Sequence, residues 1–89
     1  MSLCKHCIVT GRVQGVAYRA ATQHQALALN ITGYAKNLPD GNVEVLACGA
    51  ERDINAFCDW LWEGPRLAQV SDVQCSSAAE RNLSRFVTL

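Results

Sequence analysis

The stretch Gly11-Arg12-Val13-Gln14-Gly15-Val16-Ala17-Tyr18-Arg19 sets two glycines and an arginine where an apolar, β-branched run gives way to helix formers. A glycine-bearing loop entering a helix N-terminus aims several unpaired backbone N–H groups at one point, and such a nest binds an anion. Arg19, in the first helical turn, adds a planar, permanently charged fork that matches the oxygens of a phosphate. Two rival phosphate chemistries fail on spacing. A cysteine-dependent phosphatase needs a cysteine six residues before its arginine, and Val13 stands there. No Walker loop occurs, and the Gly-x-Ser-x-Gly of a serine hydrolase is also missing.

A metal-based chemistry has one candidate, the C-x-x-C of Cys4-Lys5-His6-Cys7. It opens an apolar segment that reads as a strand, where residues three apart point to opposite faces, so the two thiols do not share an ion. With no second pair to complete a zinc site, no metal and no cofactor are expected. The five cysteines do not form the even framework of a disulfide-rich secreted domain, and most are expected to be buried thiols. Eight basic and eight acidic residues cancel. That balance denies the chain the broad positive field of a nucleic-acid binder, so anion binding must be local. The start, Met1 to His6, lacks the apolar run of a signal peptide, and no apolar stretch is long enough to cross a membrane, which predicts a cytoplasmic protein.

The elements that must position the loop follow from periodicity. In 89 residues, about half of them apolar, there is room for one domain, 1–89, with one core. Cys4–Thr10 reads as a strand, Ala17–Leu29 as a helix with Tyr18, Thr22, Ala26 and Leu29 on one face, and Ile31–Lys36 as a second strand. The turn residues of Asn37-Leu38-Pro39-Asp40-Gly41-Asn42 send the chain back into Val43–Cys48. From Glu51 to Glu63, Ile54, Phe57, Cys58, Leu61 and Trp62 recur at helical spacing, and Gly64-Pro65 stops the helix. Ala68–Ser76 and Arg85–Leu89 supply two final strands. The order β-α-β-β-α-β-β predicts an α+β fold, a ferredoxin-like split βαβ sandwich whose antiparallel sheet carries both helices on one face.

The loop string closely resembles the signature of the acylphosphatase family, G-x-V-Q-G-V-x-[FY]-R. A second family block appears as Gly33-Tyr34-Ala35-Lys36-Asn37-Leu38-Pro39-Asp40-Gly41-Asn42-Val43-Glu44-Val45, and Trp60-Leu61 with Gly64-Pro65 is also similar to the family. The resemblance implies hydrolysis of the carboxyl–phosphate anhydride of an acyl phosphate. It implies that the phosphate is bound by the backbone amides of Gln14, Gly15, Val16, Ala17, Tyr18 and Arg19 together with the Arg19 guanidinium. Inorganic phosphate is then both product and competitive inhibitor, the protein works as a monomer, and Asn37 places the attacking water. An amide accepts no proton near neutral pH, so Asn37 orients water by hydrogen bonding and is not a base. Departures from the pattern are Ala17 at a variable site, Tyr18 where phenylalanine is also common, and Leu89 in place of a terminal basic residue. The last is expected to affect only the edge strand.

The bland reading of the other polar residues is the stronger one. Arg12 sits in the loop at a position that tolerates other types. His6 and His24 read as strand and solvated-helix residues, Trp60 and Trp62 as packing around the second helix, and Asp53, Asp59 and Glu63 as its wet face. An RNA-recognition module shares the architecture, but this chain has neither the aromatic strand motif nor the charge for it. A carbamoyl-phosphate-binding domain of a larger maturation enzyme is a closer rival, and the length of the chain argues against it. If Cys7 and Val9 face the helices, alternation sends Cys4 and Cys48 together to the open face at one end of neighbouring strands, within disulfide reach.

Overall fold

A computed structural model describes residues 2–89. One hairpin (between the second and third strands), two crossovers that each carry a helix and one long final connection build a five-stranded sheet in the order β4-β1-β3-β2-β5. Its strands are β1 (Ser2–Arg12), β2 (Thr32–Asn37), β3 (Val43–Ala50), β4 (Gln69–Ala78) and β5 (Phe86–Thr88). Helices α1 (Tyr18–Ala28) and α2 (Glu51–Glu63) cover one face, α1 over β2 and β5 and α2 over β4, β1 and β3. The fold is the expected split βαβ sandwich with one amendment: β5 runs parallel to β2, so the sheet is mixed. The chain leaves β4 at one edge of the sheet and crosses to the other edge, where the strand that returns beside β2 shares its direction. Alternation within Arg85–Leu89 carries no information about which edge the strand takes.

Alternation along the strands assigns the faces. Cys7 and Val9 on β1, with Val43, Val45 and Ala47 on β3, point at the helices and join Tyr18, Ala26, Ile54, Phe57, Leu61 and Phe86 in the main core. Tyr18, Thr22 and Ala26 form the buried stripe of α1, four residues apart as the helical period requires. Thr22 is accommodated because its hydroxyl donates to the Tyr18 carbonyl at 2.7 Å. In α2 the buried positions are Ile54, Phe57 and Leu61, and the Gly64 N–H bonds the Trp60 carbonyl at 2.9 Å where Gly64, at φ 66°, ends the helix. Trp60 packs on Tyr18 and Phe57, with ring centroids 6.0 and 6.5 Å away. Trp62 does not pack as expected: one residue beyond Leu61 is a 100° turn off the buried face, and its side chain is 51% exposed.

The open face carries a second, smaller cluster of Cys4, Leu46 and Cys48 under Tyr34 and Ala78. Cys4 lies directly opposite Cys48 in the β1–β3 register, and the two are joined in a disulfide with Cα atoms 4.1 Å apart. A second disulfide joins Cys7 to Cys75 on the helix face, where β1 and β4 place them opposite each other. The expectation that most cysteines are buried thiols is therefore corrected, since only Cys58 is free. That thiol is held above its ordinary range by burial. The Cys7–Cys75 pair depends on the register of two strands more than sixty residues apart in sequence, which neither spacing nor alternation discloses.

In the chain-entropy picture a link across 44 residues contributes about 4 kcal/mol. For a domain of this size each kcal/mol moves the melting point by roughly 4–8 °C. Peptide mapping after air oxidation should recover Cys4–Cys48 and Cys7–Cys75, and the oxidised protein should melt roughly 15 °C or more above the fully reduced one. Recovery of Cys7 linked to Cys48 would show the faces of β1 to be reversed.

Candidate active site

The loop between β1 and α1 gets its shape from two buried anchors. Val13 and Tyr18 are each only 1% exposed, so both ends of the segment are pinned in the core while Gly15 and Ala17 between them face solvent. Gly15 has φ 75° and Ala17 has φ 62°, both in the left-handed region. Left-handed residues interleaved with ordinary ones turn successive N–H groups toward one concavity, the geometry of an anion nest. For Ala17 this conformation stores strain of about 1 kcal/mol, which a glycine would not. Ala17 is also the N-cap of α1 and supplies no side-chain hydrogen bond, and no acidic residue sits in the first turn. The first N–H groups of α1 are thus left to point, with the positive end of the helix dipole, into the loop.

The side chains of Gln14 and Tyr18 brace the loop. The Gln14 amide donates to the carbonyls of Leu38 and Asn42, both at 2.8 Å, which ties the loop to the β2–β3 turn. The Tyr18 hydroxyl donates to the Leu61 carbonyl at 2.7 Å, tying the loop's other end to α2. Burial pushes the Tyr18 phenol well above its usual range and keeps it a neutral donor. Gln14 and Tyr18 can therefore offer a ligand only their backbone.

A pocket of about 160 Å³ opens between loop and sheet, lined by Val13, Gly15, Ala17, Tyr18, Arg19, Ala20 and Asn37. A water occupies about 30 Å³ of liquid, so there is room for a phosphate-sized group with a water beside it. Of the sequence-derived site residues, Arg19 and Asn37 thus meet in one pocket from different elements, α1 and the end of β2. The Asn37 Oδ1 is buried and has no hydrogen-bond partner. An orphaned acceptor of this kind costs about 1–3 kcal/mol unless a donor reaches it. Arg12 is exposed, and neither His6 nor His24 lines the pocket; His6 instead bonds Glu44 on the open face at 2.9 Å and holds that carboxyl below its usual range. A larger shallow hollow of about 610 Å³ at the start of α2 is lined by Ala50, Glu51, Arg52 and Asn55 and by none of the sequence-derived site residues.

One contributor escaped the sequence. The Arg19 Nη1 donates to the Leu89 carbonyl oxygen, and the Leu89 N–H in turn bonds Ala35 on β2 at 2.9 Å. Leu89 was expected to matter only to the edge strand, yet it orients the guanidinium. Its contact uses the backbone, so the type of residue at position 89 carries no trace of it.

A strand-loop-helix anion nest on a split βαβ sandwich, with an arginine and an orphaned amide oxygen at its mouth, defines a small oxyanion-binding protein. The sequence model of the acylphosphatase family matches residues 5–88. An acylphosphatase of Chromohalobacter salexigens is 52% identical over 77 residues, covering 86% of either chain, and one of Vibrio parahaemolyticus is 50% identical over 97% of this chain and 96% of its own. The structure of an acylphosphatase from Coxiella burnetii superposes with a TM-score of 0.96 at 40% identity, covering 99% of this chain and 93% of that one. The chain belongs to the acylphosphatase family and hydrolyses acyl phosphates.

The bracing role of Gln14 is open to test. Gln14→Ala leaves two carbonyls of the β2–β3 turn without their donor and frees the loop, so kcat/KM for benzoyl phosphate should fall roughly ten- to hundredfold, the scale of a small misplacement. An unchanged kcat/KM would show that the loop holds its shape without the tether.

Proposed function

We propose that the substrate's phosphate is held by the amides of residues 14–19 and by the Arg19 guanidinium, while Asn37 orients the attacking water. The observation that carries this reading is the buried, unpartnered Asn37 Oδ1 in the pocket that Arg19 and the loop line. A water donating one proton to Oδ1 satisfies the orphan and has its lone pair free for the phosphorus. Attack forms the new P–O bond as the bond to the acyl oxygen breaks, and the carboxylate leaves with that electron pair. Carboxylates leave readily without protonation, so no general acid is required, and the water's remaining proton passes to a phosphate oxygen. Transfer of this kind is governed mainly by positioning and charge neutralisation, and amides with a guanidinium supply both.

The same reading makes inorganic phosphate a competitive inhibitor, since the nest grips the group that product and substrate share. It also treats residues 1–89 as one domain acting as a cytoplasmic monomer. No helix among the described residues is long and apolar enough to cross a membrane. In a reducing cytoplasm both cysteine pairs would stand as dithiols.

Arg19→Ala should lower turnover of benzoyl phosphate by ~10³-fold or more, roughly 4 kcal/mol, and weaken competition by phosphate. Asn37→Ala should lower turnover comparably and leave phosphate inhibition nearly intact, because placing water is not ground-state binding. Near-normal turnover in both variants would sink the mechanism. In EDTA the enzyme should remain active on benzoyl phosphate and stay poor on p-nitrophenyl phosphate, whose leaving group wants an acid. Loss of activity in chelator with recovery in magnesium would assign charge neutralisation to a metal instead.

A further inference from the structure

Away from the loop, three sulfurs from three elements converge. Cys7 of β1, Cys58 of α2 and Cys75 of β4 place their Sγ atoms within 4.8 Å of one another, the one group of three potential metal ligands among the described residues. Cys58 Sγ stands 3.8 Å from Cys75 Sγ, which is bonded to Cys7. A metal bound to three thiolates at about 2.3 Å in a plane sets its sulfurs about 4 Å apart; Cys58 and Cys75 already stand at that spacing, and Cys7 and Cys75 reach it by parting once the bond between them is cut. The elements that carry it are rigid: Cys7 is fully buried, β1 and β4 are paired through Cys7 and Cys75, and α2 packs on both strands.

We propose that, once its disulfide is reduced, the Cys7, Cys58 and Cys75 cluster is a trithiolate site for one soft, thiophilic d¹⁰ cation, with Cu(I) as the fitting case. Thiolates without imidazole or carboxylate select soft ions. Three donors with no fourth in the group suit the low coordination number of Cu(I), where Zn(II) would be left one ligand short. The argument against the C-x-x-C is untouched, because Cys4 lies on the opposite face of the sheet and contributes nothing here.

The disulfide gates the site. A dithiol reductant gives two electrons and two protons to Cys7–Cys75, is itself oxidised to its disulfide, and leaves two thiols beside that of Cys58. Binding of Cu(I) then forms three Cu–S bonds and releases the three thiol protons. When a small-molecule disulfide accepts two electrons from Cys7 and Cys75 and is reduced to two thiols, the Cys7–Cys75 bond re-forms, two of the three Cu–S bonds are lost and the ion is released, so redox state and metal occupancy are linked.

The test uses the full chain with Cys4→Ser and Cys48→Ser, so that the other pair cannot compete, reduced and handled without oxygen. Titration with Cu(I) against a chromogenic chelator should show one equivalent bound, and X-ray absorption should count three sulfurs. Cys58→Ser in the same background should weaken Cu(I) binding roughly 100-fold or more, beyond the 10–100-fold lost when only an outer partner of a metal site is removed. Air-oxidised protein should bind none. If the double variant does not fold, X-ray absorption of the reduced natural chain with one equivalent of Cu(I) decides, because the Cys4 and Cys48 dithiol can offer only two sulfurs. A two-sulfur environment, or an affinity that ignores Cys58→Ser, overturns the proposal.

Discussion

The register of β1 against β3 is the constraint on which the site rests. Val9 lies opposite Val43, and on the other side of β3 the same Val43 lies opposite Asn37. Asn37 is thus two strands over from β1, across β3, and level with Val9, the last residue of β1 that pairs with β3 before the chain runs on to the loop. All three positions point to the helix face, because period-two alternation puts Val9, Val43 and Asn37 on one side. A slip of one residue in either pairing would turn Asn37 to the open face and carry the core positions of the slipped strand out of the core with it. The Asn37 amide is therefore held in the pocket by the same hydrophobic alternation that makes the sheet fold.

Around that register, the loop is held at both ends and in the middle by contacts that have no charge to give. Val13 is buried, Gln14 spans to the β2–β3 turn, and Tyr18 reaches α2. Gly33 shows how close the sheet packs behind them: a Cβ there would lie 1.8 Å from the Leu46 carbonyl oxygen, so β2 approaches β3 at a spacing only glycine allows. On the proposed reading, the consequence is a nest whose N–H groups are aimed before any substrate arrives. Preorganised dipoles of this kind stabilise charge without reorganising at the moment of reaction, which is where electrostatic catalysis gains over water.

What could be read from the chain divides along the same line. The loop and the β2–β3 turn are each contiguous in sequence, with glycines where the backbone needs them and Arg19 and Asn37 at their ends, so both were legible. So were the helices, since the stripes Tyr18, Thr22, Ala26 and Ile54, Phe57, Leu61 are local periodicities. Strand order and alternation put Cys4 and Cys48 on one face at the same end of neighbouring strands, within reach of each other, and the β1–β3 register sets them directly opposite. Illegible were the features that need a register between distant segments or a backbone atom: Cys75 against Cys7, β5 alongside β2, and the Leu89 carbonyl against Arg19. Trp62 misled for a simpler reason, that an aromatic beside a buried helical stripe need not belong to it.

The two disulfides show what the active site does not depend on. Both lie in the β3–β1–β4 part of the sheet, one on each face, while Asn37 sits on β2 and Arg19 answers to the carbonyl of Leu89 beyond β5. Reduction removes constraints on the unfolded chain and loosens the β4 edge, but it breaks none of the bonds that brace the loop. Stability and catalysis are thereby separated across the sheet: one half can change its redox state, and open the Cys7, Cys58 and Cys75 cluster, while the other half keeps its nest in place. The separation has a limit in Tyr18, whose hydroxyl bonds α2 at Leu61, one turn from Cys58. Any rearrangement of α2 around those sulfurs would reach the loop through that hydrogen bond and through Trp60, which packs on the Tyr18 ring.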